Sequence, residues 1–153
     1  QIAKVRGIAY STRVSPQISN RLMEASKTYL QRFTPHVQIH TDHYKGQESG
    51  KSPGFGLALI AESNTGARIS AECVGAAGEL PEDVGVRAAT MLLEEIYKGG
   101  VVDTSNQTRP VCYMVLCPED VSKLRLGHLS DYRYVFTHAG ADKTMFSVLT
   151  NSF

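Results

Sequence analysis

Thr41-Asp-His-Tyr-Lys-Gly-Gln-Glu-Ser-Gly-Lys-Ser-Pro-Gly-Phe-Gly-Leu57 is the stretch from which the rest of the chain can be placed. Two glycines stand before Pro53 and two after it, among Ser, Lys and Gln, a composition that no helix interior tolerates. The apolar run Phe55–Ala61 that follows has the length of a strand. The stretch therefore reads as a long polar loop feeding a strand. Gly50-Lys51-Ser52 copies the end of a phosphate-binding loop, but position 45 is Lys where that pattern needs Gly. Such a loop must also open a helix, whose first N–H groups face the phosphates. Pro53-Gly54 and a strand come instead, so a solvated, slightly basic connection is the better reading.

Working outward toward the N-terminus, Lys4–Val14 reads as a strand. Ser15-Pro16 is a helix start, with a capping hydroxyl and a proline suited to the first turn. Ile18, Leu22, Ala25, Tyr29 and Phe33 form one apolar stripe at helical spacing, and Pro35 closes the element. Val37–Thr41 alternates like a half-buried strand. His36, His40 and His43 invite a metal, yet a strand puts His43 on the opposite face from the other two. No metal site is expected.

Toward the C-terminus, Phe55–Glu62 and Arg68–Val74 form a hairpin around Ser63-Asn-Thr-Gly-Ala67. The first half is thus an α/β unit of two layers, one helix over a sheet. Gly75-Ala-Ala-Gly78 reads as a boundary. Leu80-Pro-Glu-Asp then opens a second helix with a stripe of Val84, Ala88, Met91, Leu92 and Ile96, stopped by Gly99-Gly100. Val111–Cys117 is apolar throughout, and is either a short buried helix starting near Pro110 or a central strand. Val121–Leu126 and Met145–Leu149 read as strands.

Composition sets outer bounds. An apolar fraction of 42% and a charged fraction of 20% are those of an ordinary globular protein, and no apolar run is long enough to span a membrane. Cys73, Cys112 and Cys117 lack ligand spacing and read as reduced, small hydrophobes. The net charge of +1 hides a division between the halves. Residues 1–77 carry nine Lys/Arg against five Asp/Glu, and residues 78–153 carry seven against ten. The first half, at +4, could touch phosphates, and any RNA contact is expected there, with Arg6, Arg13, Lys45 and Lys51 as the candidates, but that charge is far short of a nucleic-acid signature. The start, Gln-Ile-Ala-Lys-Val-Arg, lacks both an initiator Met and a signal-peptide core, so a portion of a longer protein is expected.

Several segments together resemble the RNA 3′-terminal phosphate cyclase family, in its eukaryotic cyclase-like branch. They are Arg6-Gly-Ile-Ala-Tyr-Ser11, Arg13-Val-Ser-Pro-Gln17, Ser49-Gly-Lys-Ser-Pro-Gly-Phe-Gly-Leu57, Leu80-Pro-Glu-Asp-Val-Gly85 and Leu92–Gly100. Thr41-Asp42-His43, Lys45-Gly46, Val102-Asp103 and Asn106-Gln107 complete the set. The resemblance implies a small inserted domain over residues 1–77. It makes residues 78–153 the last βα repeat of an incomplete large domain. True cyclases carry a nucleophilic histidine in that repeat, which accepts AMP before the RNA end is activated. The matching position here is Tyr132, and a phenol with a pKa of about 10 is a poor nucleophile at neutral pH. His128 and His138 lie nearby, off the matched position, and read as surface or capping residues.

By resemblance, then, the chain is a protein without cyclase activity or cofactor. It would act in pre-rRNA processing and small ribosomal subunit biogenesis, in the nucleolus. Its partners would be a ribosome-biogenesis GTPase, pre-rRNA and small-subunit processome proteins. A pre-rRNA endonuclease role is compatible with the resemblance, although no carboxylate pair or His-Lys constellation stands out as a nuclease site. The alternatives are an active RNA 3′-phosphate cyclase, forming 2′,3′-cyclic phosphate ends with ATP and a divalent metal, and a protein-interaction module that never touches RNA.

Overall fold

In a computed structural model the chain is described over residues 1–117, 122–128 and 146–150. It forms two compact units, Gln1–Glu94 and Glu95–Phe153. In the first unit β1 (Ile2–Thr12), β2 (Val37–Tyr44), β3 (Gly54–Ser63) and β4 (Arg68–Val74) make one sheet in the order β2-β1-β3-β4. β1 runs parallel to β2 and antiparallel to β3, and β3 is antiparallel to β4. The crossover between the parallel strands is α1 (Pro16–Leu30), and a parallel pair needs a connection of that kind.

The register sorts the side chains. Val5, Ala9 and Ser11 of β1, Leu57, Leu59 and Ala61 of β3, and Ile69, Ala71 and Cys73 of β4 are buried on the helix-covered face. The opposite face holds Arg6, Ile8 and Tyr10 of β1 and His40 and Tyr44 of β2. On it Ile8 is 50% and Ile60 45% exposed, so this side of the sheet is uncovered among the described residues.

Ser15 caps α1, its hydroxyl accepting from the Gln17 N–H at 3.4 Å, with Pro16 in the first turn. The expected stripe is displaced. The buried positions are Ser19, Leu22, Ser26 and Leu30, while Ile18, Ala25 and Tyr29 are half-buried and Phe33 is 48% exposed beyond the helix end. Two serines are buried at little cost because each satisfies its hydroxyl within the helix. Ser19 donates to the Pro16 carbonyl at 2.8 Å and Ser26 to that of Met23 at 3.0 Å. Phe33 instead helps line a cleft of about 520 Å³ with Ile2, Pro35 and His36.

A second helix joins the first. α2 (Pro81–Lys98) lies beside α1, with Val84, Ala88, Ala89 and Leu92 buried and Met91 40% exposed. Gly85 makes the close approach possible: a Cβ there would sit 2.8 Å from the Leu22 carbonyl oxygen and 3.2 Å from the Ala25 Cβ. Arg21 and Glu82 join the helices through paired bonds of 2.5 and 2.7 Å. Arg87 ties α2 back to β4, donating to the Cys73 sulfur at 2.9 Å and to the Val74 carbonyl at 3.2 Å. It also pairs with Glu79.

In the second unit the ambiguous apolar run is a helix, α3 (Thr108–Leu116), and not a strand. Nor is it buried all round. Val111 is enclosed, but Tyr113 is 69% and Leu116 79% exposed. Asp103, almost fully buried, caps the 3-10 turn Thr104–Asn106 that leads into α3, accepting from the Asn106 N–H at 3.0 Å. Glu95 accepts from both the N–H and the hydroxyl of Thr104 at 2.6 Å. Burial pushes its carboxyl up, but the bonds from Lys98 and Thr104 outweigh this and hold it below the ordinary carboxylate range. β5 (Ser122–Leu126) and β6 (Phe146–Thr150) pair in parallel. Gly100 and Gly127 cross so tightly that a Cβ on either would strike the other's backbone segment.

Candidate nucleic-acid interface

The loop that opens the sequence reading is shorter than expected, because strand pairing consumes its first residues. β2 continues through Tyr44, with Thr41, Asp42, His43 and Tyr44 opposite Ala9, Tyr10, Ser11 and Thr12. What remains between Tyr44 and Gly54 folds as a 3-10 turn, Gly46–Ser49, and a bend through Pro53. Lys51 and Ser52 lead into β3, so no helix N-terminus faces the Gly-Lys-Ser sequence. Gly46 and Gly50 have φ of +64° and +66°, a conformation in which a side chain is strained.

β1 ends differently from its sequence reading too. It stops at Thr12, since Arg13 turns to φ 54° and starts the descent into α1. That left-handed conformation is uncommon outside glycine and strained. Here it carries the Arg13 side chain to the loop, where Nε donates to the Gly50 carbonyl at 2.7 Å. The Thr12 hydroxyl adds a bond of 3.3 Å to the Gly54 carbonyl. Ser49 is buried, its hydroxyl donating to Gly46 at 2.8 Å. The loop is therefore tied to the end of β1, with the exposed side chains of Lys45 and Lys51 flanking the Arg13 contact.

Three of the four candidate RNA contacts, Arg13, Lys45 and Lys51, thus gather at one end of the sheet. Arg6 does not join them. It lies seven residues back along β1, roughly 23 Å at strand rise, exposed on the open face between Gln38 and Ile60. Tyr132 and His138 fall outside the described residues. His128 is exposed, and its carbonyl accepts from Gln107 Nε2 at 3.5 Å.

The histidines separate by face, as a strand requires. His40 points to the open side, while His43 lies on the covered side with Nδ1 2.8 Å from the Ser11 hydroxyl and Nε2 buried without a partner. Among the described residues no group of three or more His, Cys, Asp or Glu is placed to hold a metal. No helix among them is long and apolar enough to cross a membrane.

The sequence reading missed the uncovered sheet face as a surface. Alternation in β1 and β3 signals it, since Arg6, Ile8, Tyr10 and Ile60 occupy the positions between the buried ones. Its centre has an unusual seat. A Cβ on Gly56 would meet the Tyr10 hydroxyl oxygen at 2.5 Å and Cζ at 2.7 Å, so the Tyr10 ring lies across bare backbone. Beside it the Tyr44 hydroxyl donates to Asp42 at 2.6 Å, and this bond raises the Tyr44 phenol above its ordinary value.

Residues 1–97 match the family described as RNA 3′-terminal phosphate cyclase (RTC), insert domain. The probable RNA 3′-terminal phosphate cyclase-like protein of Dictyostelium discoideum is 49% identical over 151 residues, covering 89% of this chain and 41% of the relative. The human RNA 3′-terminal phosphate cyclase-like protein is 49% identical over 141 residues, covering 89% and 38%. The rRNA processing protein rcl1 of Schizosaccharomyces pombe is 46% identical over 129 residues, covering 84% and 36%. The chain spans about two fifths of the length of these relatives. With an insert-domain match across its first unit and near-half identity along most of its length, the chain belongs to the RNA 3′-terminal phosphate cyclase family, among its cyclase-like members.

Proposed function

We propose that the protein acts in pre-rRNA processing and small ribosomal subunit assembly, in the nucleolus, as a cyclase-like factor that performs no cyclisation. The observation that carries the RNA contact is the cluster of Arg13, Lys45 and Lys51, held at one end of the sheet by the Arg13 bond to Gly50. Clustered cations on an ordered loop suit the backbone of an RNA strand, where phosphates supply most of the affinity. The names of relatives that process rRNA favour the same reading. Tyr132, at the position matching the family's nucleophilic histidine, argues against AMP transfer. In this reading residues 1–77 supply the RNA contact. Residues 78–153 supply the last repeat of a larger domain, which works with a ribosome-biogenesis GTPase and processome proteins.

The test is RNA affinity as a function of salt. Lys45→Gln with Lys51→Gln is expected to weaken binding to single-stranded RNA and to lower the log–log salt slope by about 0.7 per lost phosphate contact. Unchanged affinity and slope would remove the loop from the interface. Incubation with labelled ATP is expected to leave no acid-labile AMP on the protein, and adenylation of His128 or His138 would overturn the non-cyclase assignment.

A further inference from the structure

We infer that the open face of the first unit's sheet is a second RNA contact, one that stacks an unpaired base on Tyr10. The inference rests on the RNA reading above but uses different residues and different chemistry. It starts from Gly56. Because that position carries no side chain, the Tyr10 ring has one face on the backbone of β3, and Tyr10 is half-buried. The rest of the residue keeps partial exposure on the open face. A flat aromatic surface fixed in this way costs little further ordering when a base lies on it, and bases stack regardless of their identity.

The surroundings fit a nucleotide strand. Arg6, Ile8 and Tyr10 follow one another along the same face of β1, with Arg6 roughly 13 Å from Tyr10 at strand rise. Arg6 is exposed and has no acidic partner among the described residues, so its guanidinium is available to a phosphate. His40 stands opposite Ile8, and Tyr44 lies one diagonal step from Tyr10. The acids on this face are largely occupied or remote. Asp42 accepts from the Tyr44 hydroxyl, Glu62 pairs with Lys4 at 3.5 Å, and Glu72 lies on the edge strand β4, two strands away from β1. The exposed apolar area of Ile8 and Ile60 suits the edges of splayed bases.

The experiment uses the full chain, a short fluorescent oligouridylate and the variants Tyr10→Leu, Tyr10→Phe and Arg6→Gln. Tyr10→Leu keeps bulk over Gly56 but removes the π surface. It is expected to weaken binding by at least about fivefold with the salt slope unchanged, the mark of lost stacking rather than lost charge. Tyr10→Phe should bind like the parent. Arg6→Gln should lower the slope by about 0.7. The chain has no tryptophan, so its tyrosine emission is readable, and RNA should quench it less in Tyr10→Leu. Thermal melts confirm that each variant is folded.

If the parent and Tyr10→Leu bind alike while the loop variants lose affinity, the sheet-face inference falls and the loop reading stands. Parent protein that binds no single-stranded RNA at low salt removes both. Unchanged RNA affinity in Tyr10→Leu, together with loss of self-association in light scattering, would reassign the face to protein contact.

Discussion

The carbonyl oxygen of Leu22 in α1 lies where a side chain on Gly85 of α2 would have to go, 2.8 Å from an ideal Cβ. The two helices close on each other through that gap. Alanine is the better helix residue by about 1 kcal/mol, so an exposed glycine at this point would be improved by the exchange. Here the steric cost wins. Gly85→Ala should destabilise the protein by roughly 1–3 kcal/mol, the range for overpacking, as read by chemical denaturation. A gain in stability would mean that the helices move apart without penalty.

Arg13 presents the opposite balance. Its backbone is strained at φ 54°, while its side chain holds the loop at Gly50. Arg13→Gly should relieve the strain and leave the melting temperature unchanged or slightly higher. At the same time it should release the segment 45–53, which limited proteolysis would detect as faster cleavage there. Slower or equal cleavage would show that Thr12 and the buried Ser49 suffice to hold the loop.

Acid should weaken the joint between the helices. The Arg21 bond holds the Glu82 carboxyl below the ordinary range, and the Ala76 amide followed by Arg87 does the same for Glu79. A depressed folded-state value means stability that is present above the unfolded value of about 4.3 and lost as pH falls through the folded one. The melting temperature should hold steady down to about pH 5 and fall below it. Glu82→Gln should flatten that fall, and an identical profile in the variant would clear the ion pair of any part in it.

Asp103→Ala should act locally, in the second unit. The lost cap on the turn before α3 should cost about 0.5–2 kcal/mol. Hydrogen exchange should quicken across residues 104–116 and stay unchanged across the four-stranded sheet. Uniform acceleration through both units would contradict this.

These expectations also show where local pattern was enough to read the chain. Ser15-Pro16, the Asn64–Gly66 turn and Pro81 with its acids are short-range signals, and the elements begin or reverse where they stand. The α1 stripe misled because hydrophobicity marks Ile18 and Ala25, whereas the closest packing favours small residues that can hide a hydroxyl, Ser19 and Ser26. The length of β2 was underread because Thr41–Tyr44 is polar, and its pairing comes from β1, thirty-two positions earlier at Ser11 and His43. Within the candidate interface, the charges of Arg13, Lys45 and Lys51 were legible. Their gathering depends on a left-handed turn at a non-glycine residue, which no composition reveals. The seat of Tyr10 on Gly56 was hidden for a similar reason, since the two meet only across the β1–β3 ladder.

The strand order has a consequence for a nascent chain. β1 is an inner strand, yet its two neighbours are made at different times: β2 soon after α1, and β3 only at residues 54–63. A ribosome that has released β1, α1 and β2 has released a βαβ unit with one flank of β1 still unbonded. That flank must wait for the glycine-rich segment to pass before Leu57, Leu59 and Ala61 can close it. During that interval the open backbone edge is a template for any other extended chain, and the speed with which residues 45–63 leave the exit tunnel sets how long it stays one.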